Sequence, residues 1–295
     1  MAIDRTVARR APSDDLLGRK RKDSPSEDGG VSPGGTAQSA PSLAIYMLST
    51  FRVVVNGVEL NGRLGGKGRS LLKILAASRE RVLPRDALME MVWPDTDPAT
   101  GAISLKVAAH NLRSVLEPGK TAGAPGRWIG FRDGTYGLNR DASVWIDVEE
   151  LERHWRHGTR AEALGDTGSA RAAYRQAEAL YTGDFLEEDI YDDWTIIRRE
   201  QLRDTYLDAV SRLAELAVMS GDHREAIRYC HKIIDTDPCR EDAYRALMSS
   251  HGALNQHARA GAWYAVCRTM LKREMGVGPG LETISVFESL FHGNA

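Results

Sequence analysis

Residues 99–117, ATGAISLKVAAHNLRSVLE, decide the fold. Leu105, Ala109, Leu112 and Leu116 recur at i, i+4, i+7 and i+11, the spacing of one apolar helical face. The opposite surface carries Ile103, Val107, His110, Asn111 and Ser114, flanked by Ser104, Lys106 and Arg113, and no carboxylate intervenes before Glu117. Phosphates repel Asp and Glu, whereas Lys, Arg and Asn reach phosphates and base edges. This is the composition of a helix made for a nucleic-acid groove, and equally that of an ordinary amphipathic surface helix. The neighbouring segments separate the two readings.

Upstream, IYMLSTFRVVVNGVELNGRL alternates and is β-branched around Asn56-Gly57, so two short strands joined by a tight turn are expected. A helix follows over Lys67–Ser78, with Leu71, Leu72 and Leu75 turned inward, and a second over Arg85–Trp93, bounded by Pro84 and Pro94. Asp95-Thr96-Asp97-Pro98 supplies the cap and turn before the third helix. Downstream, RWIGFRDGTYGLN reads as a hairpin whose tip is Arg132-Asp133-Gly134. Strands, three helices and a closing hairpin make a winged helix over 44–140, whose third helix enters the major groove. The wing tip places Arg132 where it can reach a minor groove or backbone. Lys67 and Arg69 are candidates for a second phosphate clamp.

Charge divides the same way. Formal charge is +1 over 1–44, +6 over 45–140 and −9 over 141–295, so the basic part is directed at a polyanion and the acidic part is not. Residues 1–43 are rich in Ser, Pro, Gly and charge, and a disordered tail is expected there, with Arg19-Lys20-Arg21-Lys22 as a solvated basic cluster. Hydrophobic content of 42% suits a folded chain, while no apolar run reaches the ~20 residues of a membrane span. Three unpaired cysteines and no leader-like segment point to the cytoplasm, with no membrane partner.

From Asp147 to His292 the sequence reads as helix throughout, broken by Gly165-Asp166, Gly183-Asp184, Gly221-Asp222 and Asp237-Pro238. Small and aromatic residues recur in units at Gly168–Leu180, Gly221–Asp237 and Glu241–Lys272, a pattern that resembles tetratricopeptide repeats. The expected fold is therefore mainly α with a small α+β part: an N-terminal winged helix-turn-helix, then an all-α helical-repeat domain over 147–292. Trp194 is expected to anchor helices, Arg198 and Arg199 to pair with the acids of 189–193, and the patch EEDIYDD (187–193) to be a solvated face or a surface offered to a basic partner.

Catalytic constellations are missing. Gly62–Ser70 superficially suggests a phosphate loop, but Asn61 stands at its first glycine position and Gly68 follows Lys67. His154 and His157 lack a third ligand at zinc-like spacing. No cofactor, metal site or enzymatic activity is expected.

LKVAAHNLRSVLEPG (105–119) followed by FRDGTYGLN (131–139) resembles the winged helix of response regulators, although Arg132-Asp133-Gly134-Thr135-Tyr136 replaces the usual Arg-Gly-x-Gly-Tyr wing. ALYTGDFLEEDIYDDWTIIRREQL (179–202), DTDPCREDAYRALM (235–248) and WYAVCRTMLKREMGVGPGLET (263–283) resemble the bacterial transcriptional activator domain. The order is that of the Streptomyces antibiotic regulatory protein family. That resemblance implies a transcriptional activator of secondary-metabolite (antibiotic) gene clusters. It implies binding to direct repeats in promoter DNA, self-association on that DNA, and recruitment of RNA polymerase holoenzyme. It places Val107 and Asn111 at base edges, leaving Ser104, Lys106, His110, Arg113 and Ser114 to grip phosphates. A helical-repeat adaptor, a repressor of the same architecture and a ligand sensor remain open alternatives.

Overall fold

A computed structural model describes residues 43–60, 62–78, 80, 82–119, 126–139 and 143–292. The expected tail and its basic cluster lie outside them, save Leu43, which already opens the first strand. Strands β1 (Leu43–Tyr46), β2 (Arg52–Val55) and β3 (Val58–Glu59) form an antiparallel meander. Asn56 and Gly57 take φ 49° and 80°, the paired positive values a type I′ turn requires. Then come α1 (Gly66–Ala77), β4 (Val82–Pro84), α2 (Arg85–Val92) and α3 (Pro98–Leu116). The wing is β5 (Ile129–Arg132) and β6 (Thr135–Leu138), with β4 completing the sheet in the order β4-β6-β5. Leu71, Leu72, Leu75, Leu88, Leu105, Leu112 and Leu116 fill the space between the three helices. Each such side chain, fully buried, contributes about 1.5–3 kcal/mol.

Sequence patterning assigns no element to 141–146, yet β7 (Val144–Ile146) pairs in parallel with β1 and closes a sheet of order β3-β2-β1-β7. This short strand leads directly into the helical half: α4 (Asp147–Ala163), α5 (Thr167–Leu180), α6 (Asp193–Met219), α7 (His223–Thr236), α8 (Glu241–Ala253), α9 (His257–Met275) and α10 (Leu281–His292). The helices pack as α4/α5, α6/α7 and α8/α9, with α10 covering the end. Each pair closes by one device. Gly165, Gly221 and Asn255 turn the chain at φ 76°, 75° and 56°, and the residue after each donates its N–H to the carbonyl of Ala161, Ala217 or His251. Asp166 and Asp222 then cap the following helix through the N–H groups of Ser169 and Glu225. The stretches 168–180 and 221–237, expected as whole units, are the second helices of their pairs; the long α6 is the first helix of the second pair.

The two halves share one continuous core. Residues 47–49 run between them: Leu186 and Glu187 donate N–H to the carbonyls of Met47 and Ser49, and Ser49 donates to Asp184. From the other side the Asp147 carboxylate accepts the N–H groups of Met47 (2.7 Å) and Leu48 (2.9 Å), and of Val148 at 2.8 Å. Across the same junction Lys73 on α1 reaches Glu188 and Asp189, each at 2.6 Å, and Arg69 reaches Glu188 at 2.6 Å. Two expectations are thereby corrected. Part of the acidic patch faces α1 rather than solvent, because buried Lys73 needs a counter-charge. Arg199 bonds the carbonyls of Phe185, Leu186 and Asp189 rather than their acids, and Arg198 pairs with Glu152 on α4. Trp194 is half-buried, edge-on to Phe185. Among the described residues no helix is long and apolar enough to cross a membrane.

Candidate nucleic-acid interface

The face of α3 follows from its caps and its crossings. Asp97 accepts the N–H groups of Ala99 (3.1 Å) and Thr100 (3.0 Å), and Pro98 takes the first helical position, where no N–H is needed. Hydrogen bonds from Thr100 hold the Asp97 carboxyl below its usual range, so the cap stays ionised. At Gly101 the helix comes so close to α2 that a Cβ would sit 3.4 Å from the Met89 sulfur. These contacts turn Leu105, Ala108, Ala109, Leu112 and Leu116 inward.

The remaining face is open. Ile103 is 65% and Val107 52% exposed, and Lys106, His110, Asn111 and Ser114 are exposed beside them, with Ser104 half-buried. Two β-branched aliphatics in the middle of a helix are thus left more than half exposed. Ser114 donates to the His110 carbonyl at 3.0 Å. Arg113 lies at the edge, where its Nε donates to the Ile129 carbonyl at 3.0 Å and ties α3 to the wing. Glu117, the first acid of the segment, accepts N–H groups of Arg127 and Trp128 at the wing's base.

The wing turn is Asp133-Gly134 at φ 49° and 76°, again type I′, so the departure from Arg-Gly-x-Gly-Tyr keeps the turn chemistry. Arg132 is exposed beside it, and its carbonyl accepts the Thr135 hydroxyl at 2.7 Å. Phe131, also exposed, leans on Tyr136 with ring centroids 4.5 Å apart. Strand alternation with Ile129 would turn Phe131 inward. The wing projects past the core at that point, so the alternation signal fails and the sequence reading misses an apolar wing residue.

Lys67 donates to the Val92 carbonyl at 2.7 Å and so closes the end of α2, and Arg69 is held by Glu188 and the Phe51 carbonyl. Lys67 is thus exposed at the end of α2, and Arg69, half-buried, faces the helical half. What α3 and the wing bring together is Ser104, Lys106, Val107, His110, Asn111 and Ser114 on one helix, Arg113 at its margin, and Arg132 on the adjoining turn.

Known proteins match both halves of the chain. The family model "Transcriptional regulatory protein, C terminal" matches residues 60–129, and "Bacterial transcriptional activator domain" matches 146–290. Regulatory protein AfsR of Streptomyces coelicolor is 25% identical over 213 residues, which are 72% of this chain but 20% of AfsR, so the chain spans about a fifth of that relative. Regulatory protein DnrI of Streptomyces peucetius is 25% identical over 242 residues, 80% of this chain and 88% of DnrI. The solved structure of Mycobacterium tuberculosis EmbR, in complex with a low-affinity phosphopeptide, superposes with a TM-score of 0.71 at 20% identity, covering 86% of this chain and 66% of that one; it shows a common fold. With both family models matched in this order on a winged helix joined to helical repeats, the chain belongs to the Streptomyces antibiotic regulatory protein family of transcriptional regulators.

Proposed function

We propose that this protein is a sequence-specific activator that binds direct repeats in promoter DNA and recruits RNA polymerase to a secondary-metabolite gene cluster in the cytoplasm. Residues 44–140 serve as the DNA-binding domain and 147–292 as the activator domain. One observation carries the reading: an acid-free face of α3 whose only large apolar side chains, Ile103 and Val107, are exposed beside Lys106, His110 and Asn111. Placed in a major groove, Asn111 can bond an adenine edge and Val107 a thymine methyl, while Ser104, Lys106, His110 and Ser114 hold phosphates. A single winged helix of modest charge favours binding by two or more protomers on half-sites about 10–10.5 bp apart. The junction at 47–49 and 184–189 supports this, because it holds each helical domain in one orientation on its own winged helix.

Selection from randomised duplex DNA tests the reading: a repeated motif at one-turn spacing is the expected product. Asn111→Ala is expected to relax base preference at one position of that motif by about 1–3 kcal/mol. An unchanged selected motif removes Asn111 from readout. Arg132→Ala is expected to weaken binding to all sequences alike and to lower the slope of log affinity against log salt by about 1, as the loss of one phosphate contact does. A changed motif with an unchanged slope would instead assign Arg132 to base edges.

A further inference from the structure

The groove between α6, α8 and α10 contains a cavity of about 510 Å³, a size typical of small-molecule sites. Its walls are largely apolar, among them Ala214, Val218 and Met219 from α6, Ala243 and Ala246 from α8, and Val286 from α10. Apolar walls alone would say nothing about an occupant. The polar groups do.

Ser250 lines the cavity at 1% exposure, and its hydroxyl has no hydrogen-bond partner among the described residues. His223, also in the wall, has a buried Nδ1 that is likewise unpartnered among them. A buried hydroxyl or ring nitrogen left unmade costs about 1–3 kcal/mol, so two in one wall favour a polar partner, water or ligand, from outside the chain. Glu215 is held by Arg212 and Asp242 by Arg240. Arg245, in contrast, pairs at 3.3 Å with Glu282, whose carboxylate is 81% exposed and therefore screened, and touches the Thr283 hydroxyl at 3.3 Å.

We propose that this cavity is a binding site for a small amphipathic anion, with an apolar body against Ala214, Val218 and Ala246 and an acceptor group satisfied by Arg245, Ser250 and His223. The site lies on the helical half and involves none of the DNA-facing residues. It is a ligand site additional to the DNA interface, and it stands or falls without reference to DNA.

Anilinonaphthalene sulfonate, an aromatic body bearing one anion, is the probe. Titrated into the full chain, it is expected to show a single saturable fluorescent site per molecule. Ala246→Trp, which fills the cavity, should abolish that site. Arg245→Gln should weaken it about tenfold, the loss of one charged hydrogen bond, with the melting temperature unchanged. Should Ala246→Trp lower the melting temperature, Met219→Glu provides the second variant: it adds a like charge at an exposed rim position and should weaken the dye without touching the core. No saturable site, or a site indifferent to Arg245→Gln and to the filling or rim variant, overturns the proposal. An indifferent site would place the dye on the exposed strip Ile190, Tyr191, Ile196 and Ile197 instead.

Discussion

Asp147→Ala is expected to lower the stability of the folded chain by about 2–4 kcal/mol, because it leaves three buried N–H groups without an acceptor at about 1–3 kcal/mol each, partly offset by no longer burying a carboxylate. Those groups belong to Met47, Leu48 and Val148, all nearly inaccessible, and Asp147 itself is 2% exposed. Urea denaturation followed by circular dichroism measures the loss; a change below about 0.5 kcal/mol, the range of ordinary surface substitutions, would contradict it. Asp147→Asn is expected to fall between, since one amide oxygen can serve Met47 and Leu48 while its NH2 opposes the Val148 donor.

The same residue sets a pH dependence. Burial pushes the Asp147 carboxyl up to about 6, against the lowering influence of the Leu48, Met47 and Val148 N–H groups and of Arg52. In the unfolded chain an aspartate titrates near ~3.9. The folded state therefore holds this proton more tightly than the unfolded state does. Its contribution is fully present below about 4 and is lost as pH rises through about 6, an effect of up to about 3 kcal/mol. Asp147→Asn removes the titrating group. The stability of the wild type relative to Asp147→Asn should thus be higher at about pH 4.5 than at about pH 7.5, and a difference independent of pH would contradict the assignment.

Val107→Glu is expected to weaken DNA binding by about 100-fold, or about 3 kcal/mol, while leaving stability within about 0.5 kcal/mol. The fold is spared because Val107 is 52% exposed and packs on nothing essential. Binding suffers twice: an apolar contact to a base edge is lost, and a carboxylate enters a groove lined by phosphates. Fluorescence anisotropy on a selected duplex and thermal melting of the same preparation separate the two effects. Loss of binding accompanied by loss of stability would make Val107 a packing residue.

Local patterning made much of this molecule legible. The i, i+4, i+7 and i+11 stripe of α3 is buried as its spacing requires, Asp97 caps it, and Asn56-Gly57 and Asp133-Gly134 form the turns their chemistry favours. What stayed hidden depends on residues far apart in the chain. β7 is three residues long and gains its identity only from β1, about a hundred residues earlier. Nothing local in α1 marks Lys73 and Arg69 as partners of Glu188 and Asp189, which arrive from the other half. Arg113 carries a tie to the Ile129 carbonyl that depends on where the wing folds back. The open face of α3 was legible as a face, since exposure is periodic along the helix. Its individual contacts were not, because a partner determines them.

On the proposed function, α3 and the wing read a DNA sequence. Affinity for a duplex carrying the selected tandem motif, compared with a scrambled duplex across a range of salt, tests it most directly. At least about a thousandfold preference for the motif is expected, with log affinity falling linearly as log salt rises. Equal binding to both duplexes, or none to either, would contradict it.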